Sequence, residues 1–369
     1  MHIAVILPRW VGDLVMTTPM LRAVRRHFGD SARITGVMKP LFVDLLAGTD
    51  WLDRQVLYDR HSRDPARRFR AAARQLRADP ADVALIVPNS LSSAALALAG
   101  GARRRVGFAR HGRRWLLTDP IAPERPFPRR SLADFFRVEP GSPAAHAMEL
   151  AARIGVPREP LAVELATTPA DEALADDVLA RLFPGAAVDA ARGTAPLIVF
   201  NDNGAYGPAK SWGAERFAAL ARLALDRVPA ARVLVHCGPG DRDEARSLVR
   251  AAGHPAVQSL ADEPQLPFGL SKAVLRRADV LVTSDSGPRH IAAAFGTPTV
   301  VLHGPMDPRL SRSDQRQLVE MRLDLPCSPC GRRVCPLGHH DCMRLLTVES
   351  VGHAMMSLLD EPAARGRVA

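Results

Sequence analysis

Several features that would assign the chain to other classes of protein are scarce or missing. No apolar run in the 369 residues approaches the ~20 residues that a membrane-spanning helix needs. The N-terminus has no basic region ahead of a secretory apolar stretch, so we expect a cytoplasmic protein. Aromatic residues make up only 5%, which leaves few stacking platforms for single-stranded nucleic acid. The Gly-x-Gly-x-x-Gly pattern of dinucleotide enzymes does not follow the first predicted strand.

Lysine is also scarce, although the chain is strongly basic. The only lysines are Lys39, Lys210 and Lys272, and all other side-chain cations in the formal charge of +10 are arginines. We attribute most of this preference for arginine to compositional bias, since arginine and alanine are abundant throughout. The net excess of positive charge still favours anionic partners, such as phosphorylated substrates, acidic lipid headgroups or nucleic acid.

What is present is an ordinary globular composition with a regular alternation of elements. Hydrophobic residues make up 47% and charged residues 24%, and the length suggests two domains. Short apolar runs such as His2–Leu7 alternate with helical stretches, pause in a proline-rich region, and resume at Leu197. This pattern predicts two doubly wound α/β domains in tandem. We expect an N-terminal domain (1–165), a linker region (166–195), a C-terminal domain (196–346) and a final helix with a tail (347–369).

The first loop expected to carry chemistry is Trp10-Val-Gly-Asp13, which follows the first strand. Ligands of open α/β sheets bind beyond the carboxyl ends of the strands, so Asp13 is expected to face a crevice. Gly12 beside it permits a close approach, and the carboxylate is suited to accept a proton from a substrate hydroxyl. The alternative is an aspartate that only caps a helix or stabilises a turn.

The second and third loops belong to the C-terminal half. Gly204 and Gly207 allow backbone N–H groups to turn toward an anion, and Lys210 adds a charge suited to phosphate. In the third loop, Asp285-Ser-Gly287 leads from a strand into a helix whose free N–H groups form an anion site, with Ser286 and His290 close by. The alternatives are a flexible connection for the second loop and simple helix capping by Ser286 for the third.

Four of the five cysteines lie close together near the C-terminus. Cys327, Cys330, Cys335 and Cys342, accompanied by two histidines, supply enough soft ligands for a closed structural zinc site. Their spacing differs from the symmetric double Cys-x-x-Cys of common zinc ribbons. Reduced thiols and a disulfide therefore remain the alternatives to bound metal.

Three ordered segments resemble glycosyltransferase family 9, the ADP-heptose:lipopolysaccharide heptosyltransferases, and most of all its heptosyltransferase II branch. They are Pro8–Asp13, Tyr206-Gly-Pro-Ala-Lys210-Ser-Trp212, and Asp285–Pro298 with Gly304–Pro308. The resemblance implies a GT-B fold with two Rossmann-like domains facing a central cleft. It also implies an inverting transfer of heptose from ADP-heptose to the phosphorylated lipid A-core saccharide at the cytoplasmic face of the inner membrane, with no cofactor required.

The same resemblance assigns roles to individual residues. Asp13 corresponds to the proposed base and Lys210 to the lysine that binds the diphosphate. The remaining implied donor-binding residues are Gly12, Gly204, Tyr206, Gly207, Asp285, Ser286, Gly287 and His290. A basic face with Arg103–Arg105, Arg110, Arg113 and Arg114 is suited to an acidic acceptor or an anionic membrane surface, or is a solvated run of charge.

Two other functions stay open from the sequence. A transferase of the same family acting on a different glycan or protein acceptor shares every motif named above. A non-enzymatic, basic nucleic-acid-binding protein is compatible with the arginine excess, but no helix-turn-helix or zinc-finger spacing supports specific nucleic-acid binding.

Overall fold

A computed structural model describes residues 1–122, 142–184, 195–202, 206–311 and 315–360. The chain forms two compact units that divide between Glu164 and Leu165, and a short stretch beginning at Arg309 also belongs to the first unit. Within the described residues, no helix is long and apolar enough to cross a membrane.

The first unit is a parallel six-stranded sheet with helices between its strands. Its strand order is β3-β2-β1-β4-β5-β6. The strands are β1 (His2–Ile6), β2 (Arg33–Met38), β3 (Arg54–Leu57), β4 (Val83–Ile86), β5 (Arg104–Phe108) and β6 (Asp119–Ile121). The helices are α1 (Val11–Val15), α2 (Thr18–Phe28), α3 (Phe42–Leu46), α4 (Phe69–Arg77), α5 (Leu91–Ala99) and α6 (Pro143–Ala152).

The central strands form where the sequence is continuously apolar. All five residues of β1 are buried, as expected of a strand covered on both faces of a parallel sheet. The second helix of the chain, α2, begins at Thr18. Thr17 occupies the N-cap position of α2, whereas the Thr18 hydroxyl donates to the Val15 carbonyl.

The second unit repeats this architecture. Its sheet order is β12-β11-β10-β7-β8-β9, again with parallel strands. The strands are β7 (Leu197–Asn201), β8 (Arg232–Val235), β9 (Val257–Ser259), β10 (Val280–Ser284), β11 (Thr299–His303) and β12 (Leu318–Arg322). The helices are α7 (Pro169–Leu182), α8 (Ala214–Arg227), α9 (Arg242–Ala252), α10 (Phe268–Arg277), α11 (Gly287–Ala294), α12 (Asp341–Arg344) and α13 (Val348–Asp360).

Helix α7 lies within residues 166–195, which sequence analysis assigns to a linker. In the structure it belongs to the second unit. Thr168 and Asp171 form a capping box at its start. The fully buried Lys272 ammonium of α10 lies 3.3 Å from the Asp171 carboxylate, and Arg277 pairs with Glu172. These contacts make α7 a packed layer of the second unit rather than a loose connection.

Each sheet reverses its strand order at one point. In the first unit the order reverses between β1 and β4, and in the second between β7 and β10. Ligands of doubly wound folds bind at such switch points, outside the carboxyl ends of the strands. The loops after β1 and β4, and those after β7 and β10, are therefore where functional side chains are expected.

Candidate functional site

The switch point of the second unit brings Lys210 and Asp285 together. The two residues are 75 positions apart in the chain, yet Nζ of Lys210 lies 2.9 Å from Oδ2 of Asp285 and 2.5 Å from its backbone oxygen. On the other side of the carboxylate, Arg289 donates to Oδ1 at 3.0 Å. All three side chains are largely buried, with exposed fractions of 12% for Lys210, 7% for Asp285 and 2% for Arg289.

The charges around Asp285 keep its carboxyl group ionised. Burial on its own raises the pKa of Asp285, but the neighbouring Lys210 and Arg289 outweigh this effect and hold the pKa well below its ordinary value. The cluster carries two cations for this one carboxylate. Farther from it, Glu320 lies 3.7 Å from Arg289 and 3.0 Å from His303. Of the two cations beside Asp285, Lys210 is the more exposed, so it is the one that an anion would meet.

Sequence analysis did not single out Arg289, although its position four residues after Asp285 indicates that the two side chains can pair. Asp285 lies just before α11 and Arg289 in its first turns, four residues later, so both fall on the same side of the chain.

The loop after β10 is stabilised by side-chain hydrogen bonds and not by a helix cap. Ser286 occupies the N-cap position of α11, but its side chain makes no capping hydrogen bond. Its hydroxyl instead accepts from the Asn201 amide at 2.9 Å, and the same amide donates to Thr283 at 3.0 Å. Simple capping by Ser286 is therefore wrong. The N–H group of Gly287, the first residue of α11, lies at the positive end of the helix dipole.

His290 lies in α11 and is buried. Burial, with Arg289 as a second cause, lowers the pKa of His290 to about 3, so the imidazole is neutral. Its Nδ1 atom has no hydrogen-bond partner among the described residues. A buried polar atom without a partner costs free energy. Such atoms often mark a site where a ligand, an ion or a water molecule binds.

The loop after β7 is shaped by the partly buried carboxylate of Asp202, which sequence analysis did not predict as functional. Asp202 accepts hydrogen bonds from the Ser211 hydroxyl and from the N–H groups of Trp212 and Gly213, all within 2.7–2.9 Å. Burial raises the pKa of Asp202 to about 6, although these three hydrogen bonds act in the opposite direction. The carboxylate ties the residues that follow Lys210 to the end of β7.

The predicted donor residues Tyr206 and Gly207 lie in the same loop. Nζ of Lys210 is 4.9 Å from the centre of the Tyr206 ring, within the range of a cation–π contact. Gly207 has a φ of +147°, and a Cβ atom there would lie 2.8 Å from the Arg333 carbonyl oxygen, so only glycine fits. The predicted Gly204 lies outside the described residues.

The switch point of the first unit holds Asp13 beside a cavity of about 670 Å³. Asp13 lies in the first turn of α1, and Gly12 precedes it in the same helix. The cavity is also lined by Asn89 and Ser90 from the loop after β4. Its remaining polar lining residues include Arg9, Arg60, Arg110, His111 and His146. A carboxylate in a basic crevice is an arrangement suited to an anionic ligand that carries a hydroxyl group.

The predicted basic face needs one correction, because Arg113 is fully buried. Its guanidinium donates to the carbonyl of Phe108 at 2.9 Å, to the carbonyls of Pro88 and Ser90, and to the Asn89 side chain at 3.0 Å. Burial lowers its pKa to about 10, with Arg110 as a second cause. Arg113 therefore supports the loop that lines the cavity and is not available to a surface ligand.

The four C-terminal cysteines are free thiols. Burial raises the pKa of Cys342, and the proximity of Cys330, Cys327 and Cys335 raises it further, so the four lie in one neighbourhood. Among the residues that the structure describes, however, no three metal-ligating side chains are arranged to hold a metal ion. The zinc site therefore stays a prediction.

Comparison with known proteins supports the assignment that these loops suggest. The chain is 24% identical to Lipopolysaccharide heptosyltransferase 2 of Salmonella typhimurium, over 98% of this chain and 99% of that protein. It is 28% identical to Lipooligosaccharide heptosyltransferase 2 of Campylobacter jejuni over 42% of this chain, a match that spans about half (49%) of that relative's length.

Solved structures show the same fold. The structure of E. coli ADP-heptose lps heptosyltransferase II matches with a TM-score of 0.74 at 22% identity, covering 97% of this chain and 98% of that one. A glycosyl transferase family 9 structure from Veillonella parvula gives a TM-score of 0.77 at 20% identity, covering 98% and 97%. The two parallel sheets thus have the GT-B architecture of heptosyltransferases.

The sequence model of glycosyltransferase family 9 (heptosyltransferase) matches residues 69–340. This range contains both the Lys210 loop and the Asp285 loop. Because it spans well over half of the chain, the chain belongs to glycosyltransferase family 9.

Proposed function

We propose that this protein transfers a heptose from ADP-heptose to the inner-core saccharide of lipopolysaccharide, with inversion at the anomeric carbon. The observation that carries the proposal is the pairing of Lys210 with Asp285 at the second switch point, beside the start of α11. The Lys210 amine is fixed by a carboxylate and lies beside the loop that leads into the N-terminus of α11. This combination suits a diphosphate, whose negative charge grows as the sugar leaves.

For the donor, we assign the diphosphate to Lys210, the Tyr206–Gly207 turn and the start of α11. As the bond between the anomeric carbon and the phosphate oxygen breaks, its electron pair stays on ADP. Lys210 and the N–H groups near Gly287 stabilise that charge most strongly in the transition state. Ser286 and His290 lie in the same loop and helix, and the Nδ1 atom of His290 has no hydrogen-bond partner among the described residues.

For the acceptor, we assign the cavity of the first unit. Asp13 takes the proton of the attacking hydroxyl while its oxygen bonds to the anomeric carbon, a role typically worth ~10²–10⁴ in rate. Arg9, Arg60 and Arg110 line the same cavity and suit the phosphate groups of a lipid A-core acceptor. With a base for the proton and cations for the leaving group, the transfer needs no cofactor.

Measurements of turnover and donor affinity on matched variants test the two roles separately. Asp13→Asn is expected to lower kcat by ~10²–10⁴ with ADP affinity unchanged, because only proton transfer is lost. Lys210→Gln is expected to weaken ADP binding and to lower kcat, because the positive charge that stabilises the leaving ADP is lost. Asp30→Asn, at an exposed position, is the control. Near-normal turnover of Asp13→Asn would contradict the base assignment.

A donor screen by calorimetry tests the substrate class. ADP-heptose is expected to bind more tightly than ADP-glucose and than UDP- or GDP-sugars. Tight binding of a different nucleotide sugar would contradict the donor assignment. ADP-heptose turnover with a glycan or protein acceptor other than the lipid A core would leave the donor assignment standing and replace the acceptor.

The basic lining of the cavity predicts an effect on the acceptor alone. Arg60→Gln is expected to raise the KM for a phosphorylated core acceptor and to leave the KM for the donor unchanged. Arg70→Gln, an exposed arginine on α4, is the matched control. Equal effects of Arg60→Gln on phosphorylated and dephosphorylated acceptors would contradict the proposed phosphate contact.

We also propose that the protein acts at the cytoplasmic face of the inner membrane as a peripheral protein. The exposed Arg103 and Arg114 support this, together with Trp115, whose exposed fraction is 74%. Each nearby cation adds up to ~1 kcal/mol of attraction to an anionic surface. Co-sedimentation with phosphatidylglycerol vesicles but not with phosphatidylcholine vesicles is the expected result, reduced in Arg114→Gln with Trp115→Ala.

For the four cysteines we propose a structural role, with zinc as the metal they would take. Thiolates suit zinc, and the four lie within one neighbourhood of the second unit. Elemental analysis of protein purified without a histidine tag is expected to give about one zinc per chain. A zinc content near zero, with four titratable thiols, would assign the segment to reduced cysteines instead.

A further inference from the structure

The segment that carries the four cysteines, residues 327–342 (the cysteine segment), packs against the loop that carries Lys210. The Tyr206 hydroxyl donates to the Gly331 carbonyl at 2.5 Å. The Arg333 guanidinium lies 5.4 Å from the centre of the Tyr206 ring, on which Lys210 also lies. The absence of a side chain at Gly207 allows the Arg333 carbonyl to approach this closely. Although far apart in the chain, the two segments form one contact surface.

The contact is tightest at Ala209, the residue before Lys210. The Ala209 N–H group donates to the Arg333 carbonyl at 3.0 Å. On the other side, the Ala209 carbonyl oxygen lies 2.7 Å from Nε2 of His340. A carbonyl oxygen only accepts, so Nε2 of His340 is the donor. Both polar groups of Ala209 are thus held by the cysteine segment, and Lys210 follows directly.

His340 is itself held in an unusual conformation. Its φ is +56°, in the left-handed region that a histidine rarely adopts. The backbone of His340 also lies close to the thiol of Cys335, whose pKa it lowers. A non-glycine residue in this region costs free energy and persists only where its surroundings fix it. Here the surroundings fix it so that its imidazole reaches the Lys210 loop.

We propose that His340 is a positioning residue for Lys210. Its hydrogen bond to the Ala209 carbonyl fixes the backbone just before Lys210. This fixes the position of the Lys210 amine beside Asp285, where the donor diphosphate binds. This inference rests on the proposed function, because it assigns to Lys210 the contact with the diphosphate. The cysteine segment thereby becomes part of the donor site, although none of its residues contacts the reacting atoms.

The test uses two substitutions of His340 in the full chain. His340→Gly removes the imidazole and relieves the left-handed backbone, so the melting temperature is expected to hold or rise. Its ADP affinity and the ratio kcat/KM for the donor are expected to fall about tenfold. The acceptor KM is expected to stay constant. His340→Gln, which keeps a donor near the place of Nε2, is expected to restore most of the loss. His353→Ala, at an exposed position on α13, is the control.

A double-mutant cycle separates positioning from a general effect on folding. In the Lys210→Gln background, His340→Gly is expected to weaken ADP binding no further, because its effect passes through Lys210. Full additivity of the two effects, or an unchanged ADP affinity in His340→Gly alone, would overturn the positioning role while the wild type still binds ADP. A wild type that does not bind ADP at all would overturn the proposed function together with this inference.

Discussion

The charge balance around Asp285 makes two neighbouring substitutions differ sharply in their effect on stability. In Asp285→Asn, the buried cations Lys210 and Arg289 lose the carboxylate that lies between them. In Lys210→Gln, Asp285 keeps Arg289 at 3.0 Å and stays paired. Removing one partner of a buried ion pair costs about 3–5 kcal/mol, whereas a single net hydrogen bond contributes about 0.5–1.5 kcal/mol. We therefore expect Asp285→Asn to lower the free energy of unfolding by several times as much as Lys210→Gln does.

The assay must report on the second unit alone, because the chain has two compact units. Hydrogen exchange of peptides from β7 and β10, followed by mass spectrometry over a urea series, meets this requirement. ADP supplies negative charge to the two cations that have lost their carboxylate partner, so it is expected to stabilise Asp285→Asn more than the wild type. Equal destabilisation by the two substitutions would refute the reasoning, since it would mean that the carboxylate does not balance both cations.

The same carboxylate has a predictable dependence on pH. The pKa of Asp285 in the folded protein lies below its ordinary value of 3.8, so the unfolded chain binds the proton first. The ionised carboxylate therefore stabilises the folded protein fully above pH 3.8. This stabilisation is lost as the pH falls below 3.8 and through the lower pKa of the folded state. Asp285→Asn should be less sensitive to acid than the wild type below pH 4.

Two further predictions concern other buried groups. Burial lowers the pKa of His236 to about 4, so its burial costs about 3 kcal/mol of stability as the pH falls from 6.5 to 4. Asp202, with its raised pKa, acts in the opposite sense between pH 6 and 3.8, so the difference between His236→Gln and wild-type unfolding curves isolates the histidine. Arg113→Met is expected to lower stability by about 2–4 kcal/mol, because it leaves the carbonyls of the 88–90 loop without their donor. Increased hydrogen exchange in that loop is the measurement, and protection equal to the wild type would contradict the role given to Arg113.

Much of the fold could be predicted because its central strands are continuous apolar runs. The strands β1, β4, β7 and β10 are buried along their whole length, and the apolar runs predicted at His2–Leu7 and from Leu197 correspond to β1 and β7. The strands β5, β6 and β12 do not have such a continuous buried run. The first begins with two arginines, the second contains Pro120 at the sheet edge, and the third is only partly buried. Strands near a sheet edge lack the pattern that signals burial.

The candidate site was predictable loop by loop but not as a set of contacts. Sequence spacing places Lys210 after β7 and Asp285 after β10, yet their pairing depends on those two strands being neighbours in the sheet. Sequence analysis grouped Arg113 with the surface arginines. The carbonyl groups that accept its hydrogen bonds come from other parts of the fold, and neighbouring residues in the sequence do not indicate them. The contact of His340 with Ala209 spans 131 residues and has no local signal at all.

Because the chain has only three lysines, the Lys210 amine can be followed by chemical modification. Of the three lysine amines, that of Lys272 is fully buried against Asp171, and Lys39 is partly exposed. Reagents that acylate amines therefore meet few competing targets besides Lys39 and the chain terminus. Mass mapping after brief acylation, with and without a nucleotide, would read the accessibility of the Lys210 amine directly, without any engineered label in the protein.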